Sequence, residues 1–585
     1  MIRRPGRGLA GSLLGAAAAV AVVTVLARIG GFARIVVFTS TVGYDAVGKV
    51  YETANRLPTA VYEIVAGGAL AGLVVPLLSA AVSRGETEEV NRTTSALLTW
   101  AVSVLTPLAI LGGLFAEPLY GLLADDRVPA AEIALGGRML RIFAPQLVLY
   151  GVGIVLTGVL QAHRRFVGPA LAPLLSSLTV IATYVVYAAV GGTGSSVGEL
   201  SRRAELVLTV GTTLGVAALS LSLLVPLRGT GVRLRPTFRF APGVAGRALR
   251  LGGAGLAAVG AQQVPILVVL RLSSGGVPVT TLVAYWVCYT VFLLPWAVFS
   301  LPVATSAFPR LSTACDNGDT DGYARTLATA TRTVLMLASL AAAVLMAAAG
   351  PIADVLEAVA VPGTEVSEPL TYGIVSLAPG LLGYGLFALL TRALYARGRT
   401  GASTVVTVIG WFAVAVAQIW FAGFAHPDNR VFALAVGHSV GVTVLGIGLA
   451  LLVAHDSGSR SLGDVGRTLI TCVPASIWAA AAGYGMSLLV GDLFGGTVDG
   501  DTVGGSGLAA VTAQGILVGI TVVVVFAGLL AVTDRSEAKR LLQRLRRRRA
   551  AGTADSVADS VANRIASDDE QPRAGRQAEE ESTGD

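Results

Sequence analysis

The sequence predicts an all-α polytopic membrane protein with fourteen transmembrane helices. Three observations carry that expectation. Apolar residues make up 54% of the 585-residue chain and charged residues only 14%, against about 25% charged in soluble domains. Apolar runs of about 20 residues or more, enough to cross a bilayer, recur from residue 11 to residue 533. Arginines gather in every second loop between those runs, which is the bias of cytoplasmic loops.

The runs fall at 11–41, 46–81, 93–116, 133–161, 168–191, 205–227, 247–273, 278–311, 329–350, 369–396, 401–424, 430–454, 466–491 and 507–533. Arg3, Arg4 and Arg7 before the first run have the look of a signal peptide. The apolar stretch from Leu9 to Val42 is too long for an h-region of about 7–15 residues, so it is read as a retained span. With the N-terminus inside, the inner loops carry Arg84 and Arg92, then Arg164 and Arg165, then Arg228, Arg233, Arg235 and Arg239, and so on to Arg460 and Arg467. The opposite loops hold few basic residues (Lys49, Arg127, Arg202, Arg203, Arg430) and are acidic at Asp125, Asp126, Glu365, Glu368, Asp499 and Asp501. A miscounted span would break this alternation, so fourteen spans agree with two cytoplasmic ends in the plasma membrane.

The chain closes with eight basic residues in 535–549, ending Arg546-Arg547-Arg548-Arg549. This block reads as a stop signal that also touches anionic lipid. Residues 550–585, rich in Ala, Ser, Asp, Glu and Gly, read as a disordered cytoplasmic tail.

Several functions are excluded. The formal charge of +7 lies in short clusters with no continuous basic face, so nucleic acid is not a partner. Cys288, Cys315, Cys472 and the four histidines are scattered, with neither metal-ligand spacing nor a disulfide framework. No phosphate-cradling loop and no nucleophile–base arrangement is present. Neither an enzyme nor a cofactor is expected.

Ionisable residues inside spans are costly and mark functional sites. Arg28 and Arg34 interrupt the first run. Six residues put them on different faces of a straight helix, and a bend at Gly30-Gly31 would re-aim both into one cavity. The alternative is that they snorkel to a headgroup layer. In the second run Glu52, Arg56 and Glu63 fall within about 40° at 100° per residue, with Asn55 and Thr59 beside them. Glu52 and Arg56 are spaced to pair at i, i+4, as a structural ion pair or as a substrate contact. Gln262 and Gln263 precede Arg271 in the seventh run, where Arg271 either lines a cavity or snorkels outward. Pro295, Pro302 and Pro309 recur in the eighth and predict kinks. Together these residues describe a cavity with more cation than anion. Its natural occupant is an anion with an apolar portion, such as a lipid-linked pyrophosphate held by arginine forks.

At these residues the sequence resembles a known family. Ala27-Arg28-Ile29-Gly30-Gly31-Phe32-Ala33-Arg34 is similar to the first-helix S-R-x-x-G-F-x-R signature of the MurJ/MviN lipid II flippases. Asn55-Arg56-Leu57-Pro58, Tyr62-Glu63-Ile64-Val65-Ala66-Gly67-Gly68 and Val75-Pro76-Leu77 resemble that family's second helix, its actinobacterial branch in particular. Leu294-Pro295 and Phe308-Pro309-Arg310-Leu311-Ser312 resemble its eighth. The family belongs to the superfamily of the MATE exporters. The resemblance implies two pseudo-symmetric six-helix bundles (1–228 and 229–455), two appended helices (456–534) and the tail (535–585). It also implies alternating access, carrying lipid II, an undecaprenyl-pyrophosphate-linked peptidoglycan precursor, from the cytoplasmic to the outer leaflet.

By position the family's basic residues fall on Arg28, Arg34 and Arg56, while further family arginines fall on the uncharged Tyr62 and near Thr290. Arg271 is a candidate to supply the missing charge. The bundles would rock about bends at Gly30-Gly31 and Pro295. Other functions in view are a flippase for another polyprenyl-linked saccharide, a MATE-like cation-coupled exporter, and a scaffold recruiting cell-wall synthesis or division proteins through the tail. The exporter would need unpaired acids mid-span, where arginines are at least as prominent.

Overall fold

The computed structural model describes residues 7–64, 71–240, 244–463, 465–493 and 505–533. Every regular element among them is helical. The first set of helices comprises α1 (Arg7–Thr41), α2 (Ala46–Glu63), α3 (Ala71–Arg84), α4 (Thr87–Leu114), α5 (Ala116–Leu123), α6 (Ala130–Phe143), α7 (Gln146–Ala162), α8 (Val167–Ala189), α9 (Arg202–Leu221) and α10 (Leu224–Arg228). The second comprises α11 (Val244–Leu272), α12 (Thr281–Pro295), α13 (Leu301–Asp316), α14 (Thr320–Ala358), α15 (Ser367–Leu377), α16 (Gly380–Ala396), α17 (Thr400–Phe424) and α18 (Arg430–Ser457). Two more follow, α19 (Val465–Leu493), which packs on α14, and α20 (Gly505–Thr533). From Val524 the chain is a separate unit, described only to Thr533. The basic block 535–549 and the acidic tail lie outside the described residues.

Among the described residues twelve helical stretches are long and apolar enough to cross a membrane, and the α15–α16 pair, bent by 46°, makes a thirteenth. The expected second span, 46–81, is not among them. It maps to α2, which carries Lys49, Glu52, Arg56 and Glu63, and to α3, only 14 residues long. The polarity that marks this segment as functional also removes it from a count based on apolarity.

Packing is dense within each set: α1 against α8, α4 and α3 against α7, and α8 against α9 in the first; α17 and α16 against α18, α11 against α17, and α14 against α15 in the second. Between the sets, helices meet where α2, α3 and α5 touch α11 and α12. An internal repeat relates the two. Ala144-Pro145-x-Leu147-x-x-Tyr150-Gly151 recurs as Ala378-Pro379-x-Leu381-x-x-Tyr384-Gly385, and the same offset of 234 pairs Thr157 with Thr391, Leu160 with Leu394, Ala162 with Ala396 and Arg165 with Arg399. Each proline stands at a helix break, between α6 and α7 and between α15 and α16, as expected of a residue without an N–H. The repeat extends to the backbone. Arg164, the one non-glycine residue with positive φ (57°) among the described residues, is the mate of Gly398 (71°).

In the eighth expected span the regular α-helix is interrupted after one of the three prolines. α12 ends at Pro295 and passes into a π-helical turn, Trp296–Ser300, before α13. Pro302 sits at the start of α13, where no N–H is needed, and α13 runs on through Pro309. α1 continues as helix through Gly30-Gly31. Gly30 serves close packing: a Cβ there would lie 2.9 Å from Leu174 Cδ1 of α8.

Candidate functional site: a hollow between the two helix sets

α2 is fixed at both ends of its polar stripe. Asp45 caps it, its Oδ1 accepting from the Gly48 N–H at 3.1 Å. Lys49, expected in a loop, is buried in the first turns of α2, where its Nζ lies 2.7 Å from Glu132 and donates to the Ser274 carbonyl at 3.4 Å. From this anchor the stripe of Glu52, Asn55, Arg56 and Thr59 faces a hollow of about 180 Å³. Arg34 of α1, Tyr150 of α7 and Tyr184 of α8 line it from the same set. Trp286 and Thr290 of α12 close it from the other.

Two guanidiniums face one carboxylate across this space. Arg56 binds Glu52 Oε2 through Nη2 (3.0 Å) and Nε (3.1 Å), and lies 3.8 Å over the Trp286 ring. Arg34 has no ion-pair partner among the described residues. Its electrostatic neighbours are Glu52 and the hydroxyls of Tyr184, Tyr51 and Tyr150. Those rings are held in place. Tyr51 bonds Tyr184 (2.9 Å) and Thr212 (3.0 Å), and Tyr150 stacks on Tyr62 with centroids 4.1 Å apart. Past that stack a second hollow of about 350 Å³ continues among α3, α7, α8 and α9, lined by Gln161 and Ser220. Asn55 brings a buried amide oxygen without a partner to the central hollow.

The structure brings together Arg34, Glu52, Asn55 and Arg56, and leaves three expected site residues elsewhere. Arg28 is exposed on α1 and does not line the hollow, because six residues along a continuous helix set it on a different face from Arg34. Glu63 lies further along α2, accepting from Gln263 Nε2 of α11 at 2.9 Å. Arg271 sits at the Lys49 end, donating to Asp125 Oδ2 at 2.8 Å. There the Asp125 N–H also donates to Ser274 Oγ (2.9 Å), and the Val361 N–H donates to Thr39 O (3.2 Å). This end is thus bridged across the two sets. Arg271 holds the half-buried Asp125 carboxyl below its ordinary value. Pro295 and its π-helical turn lie just beyond Thr290 on the same chain segment.

Trp286, Tyr150 and Tyr184 were not singled out from the sequence. For Tyr150 a signal existed, the A-P-x-L-x-x-Y-G repeat. Trp286 is one aromatic residue in an apolar run, and only its position against Arg56 distinguishes it. No group of residues able to hold a metal ion occurs among the described residues. The arrangement brings two guanidiniums to one hollow, a chemistry suited to an anion.

Residues 38–494 match the family model described as lipid II flippase MurJ. The probable lipid II flippase MurJ of Vibrio cholerae is 24% identical over 466 residues, covering 77% of this chain and 85% of that protein. The lipid II flippase MurJ of Burkholderia cenocepacia is 25% identical over 458 residues, covering 73% and 80%. Among solved structures, lipid II flippase MurJ in an inward closed conformation superposes with a TM-score of 0.67 at 18% identity, covering 88% of this chain and 98% of that one. An inward-facing multidrug resistance MATE family transporter gives 0.61 at 13% identity, covering 75% and 94%. A charged hollow between two repeat-related helix sets, in a chain whose greater part matches one family model, leads to one assignment: this chain belongs to the lipid II flippase MurJ family of multi-pass membrane transporters.

Proposed function

We propose that this chain moves lipid II from the cytoplasmic to the outer leaflet by alternating access, and that Arg34 and Arg56 hold its diphosphate. The observation that carries the reading is Arg34, a guanidinium with no ion-pair partner among the described residues, sharing with Arg56 a space walled by both helix sets. Guanidinium forks suit phosphate oxygens. Arg56 is held by Glu52 and lies over Trp286; an arriving diphosphate replaces Glu52 while the ring keeps the guanidinium in place. Asn55 and the tyrosines offer neutral donors to the head group.

The α2–α3 segment is read as the fourteenth span, its charged face turned to the hollow and away from lipid. The distribution of arginines supports cytoplasmic ends and places the Lys49 end outside. The repeat supports two bundles, 1–228 and 229–455, followed by helices 13 and 14 (456–534) and the tail (535–585), where cell-wall proteins are proposed to dock. Pro295 and its π-helical turn supply the bend for rocking, and Gly30 the close α1–α8 contact that slides. Outward opening breaks Arg271–Asp125 and Lys49–Ser274. Moving one charge across the membrane potential is worth about 2.3 kcal/mol per 100 mV, enough to bias such a cycle. The motifs of the second helix support the actinobacterial branch. A second reading, a different polyprenyl-linked saccharide, is favoured by the uncharged Thr290 and Tyr62, where the family carries arginine.

The test is complementation of a flippase-depleted strain with leaflet-resolved lipid II measurement. The parent chain is expected to prevent inner-leaflet lipid II accumulation, and Arg34→Gln, at equal expression, is expected to fail. Continued inner-leaflet accumulation with the parent chain expressed would favour the second reading.

A further inference from the structure

The segment joining the two helix sets carries a site of its own. After α10 the chain runs extended along α4, fixed by a row of side chains. The N–H groups of Arg233, Arg235 and Thr237 donate to Asn91 Oδ1 (2.8 Å), Ser95 Oγ (3.0 Å) and Thr99 Oγ1 (3.1 Å). Every second residue of the strand meets every fourth of the helix. The two repeats are roughly 6.6 and 6.0 Å, close enough to stay in register over three bonds. Trp100 Nε1 and Arg92 Nε add bonds to the Phe238 and Arg239 carbonyls, each at 3.2 Å.

The backbone of this strap is therefore satisfied by α4, and its side chains are left to the surroundings. Strand alternation puts Arg233 and Arg235 on one face and Leu234 and Pro236 on the other. All four are exposed, as are Arg92, Phe238 and Arg239. None of the four arginines has an ion-pair partner among the described residues. Phe238 meets Trp100 edge-on at 5.4 Å, both rings still largely open. α4 has 28 residues, about 42 Å at 1.5 Å each, and the hydrocarbon core takes about 30 Å. The strap lies on the first half of α4, from Asn91 to Trp100, and its start falls within the roughly 12 Å by which α4 exceeds that core, the zone where tryptophan and arginine are both favoured.

We propose that the strap is a docking site for anionic phospholipid headgroups. Arg92, Arg233, Arg235 and Arg239 bind the phosphate, while Leu234, Phe238 and Trp100 enter the acyl boundary. The α4 bonds hold the guanidiniums ready, so that little ordering remains to be done on binding.

The full chain in nanodiscs, titrated with phosphatidylglycerol in a zwitterionic background, tests this by native mass spectrometry and hydrogen exchange at residues 232–240. The R233Q/R235Q/R239Q variant is expected to bind phosphatidylglycerol on the order of 100-fold more weakly at an unchanged melting temperature. Ser95→Ala with Thr99→Ala, which keeps every arginine, is expected to weaken it by several-fold and to speed exchange in the strap. Unchanged phosphatidylglycerol binding in the triple variant would overturn the proposal. So would displacement of the lipid by equimolar inorganic pyrophosphate, which would make this a site for soluble phosphate, or binding confined to polyprenyl diphosphates, which would make it part of the substrate path.

Discussion

Arg56 of the first helix set lies with its guanidinium 3.8 Å above the Trp286 ring of the second, while the same group is held by Glu52 at 3.0 Å. One cation thus links both sides of the hollow, with an acid on its own helix and an aromatic face across the gap. On the proposed function, a substrate that takes Arg56 would alter the contact between the sets and so couple binding to movement.

Replacing Trp286 by Leu removes the cation–π contact, worth about 1 kcal/mol in a partly desolvated place. Affinity for a polyprenyl diphosphate is expected to fall by roughly fivefold. Trp286→Phe, which keeps an aromatic face, is expected to lose less. Titration of purified variants with the lipid measures both.

Glu52→Gln leaves Arg56 without its acid and raises the positive charge of the hollow. Diphosphate binding is expected to tighten and turnover to slow, because release now opposes a stronger field. Equilibrium binding and single-turnover transport in proteoliposomes separate the two effects. Weaker binding would mean that Glu52 serves the substrate directly.

Arg271 depresses the Asp125 pKa at the bridged end. A lowered carboxyl pKa stabilises the bridged state above the ordinary carboxylate range, and that contribution disappears as pH falls through the depressed value. Acidification on the Asp125 side, or Asp125→Asn at neutral pH, is expected to shift the population towards separation of this end. Distance measurement between spin labels on the loops after α5 and α11 reads the shift. A pH-independent distance in the parent chain would contradict it.

Arg164 adopts φ 57° where its repeat mate Gly398 has 71°. A side chain in the left-handed region costs about 1 kcal/mol that glycine does not. Arg164→Gly is expected to stabilise the chain by that order, and Gly398→Arg to destabilise it. Thermal unfolding in a fixed detergent measures both.

Much of the architecture was legible because lipid punishes polar surface. Apolar runs and arginine-rich loops located the helices, and the charged stripe of α2 announced an interior face. What resisted reading depends on which neighbour a residue meets. Arg28 and Arg34 look equivalent in sequence, and only the unbroken course of α1 sends Arg34 to the hollow and Arg28 to the exposed face. Lys49 reads as a loop charge and Arg271 as either a cavity or a snorkelling residue, yet both bridge elements distant in the chain. Trp286 gains its meaning from Arg56, 230 positions away, a relation that no local pattern encodes. The strap on α4 was hidden for the same reason. Asn91, Ser95 and Thr99 at intervals of four look like an ordinary polar helix face until a strand with the matching repeat lies on it.

The most direct measurement is the affinity of purified full-length protein for undecaprenyl diphosphate with and without its saccharide–peptide head, compared across Arg34→Gln, Arg56→Gln and Arg28→Gln. Losing a charge-assisted contact of about 1.5–3 kcal/mol, the first two are expected to bind either lipid at least tenfold more weakly, while Arg28→Gln binds as the parent does. Parental affinity in Arg34→Gln, or a loss confined to Arg28→Gln, would contradict a diphosphate seat in the hollow between the helix sets.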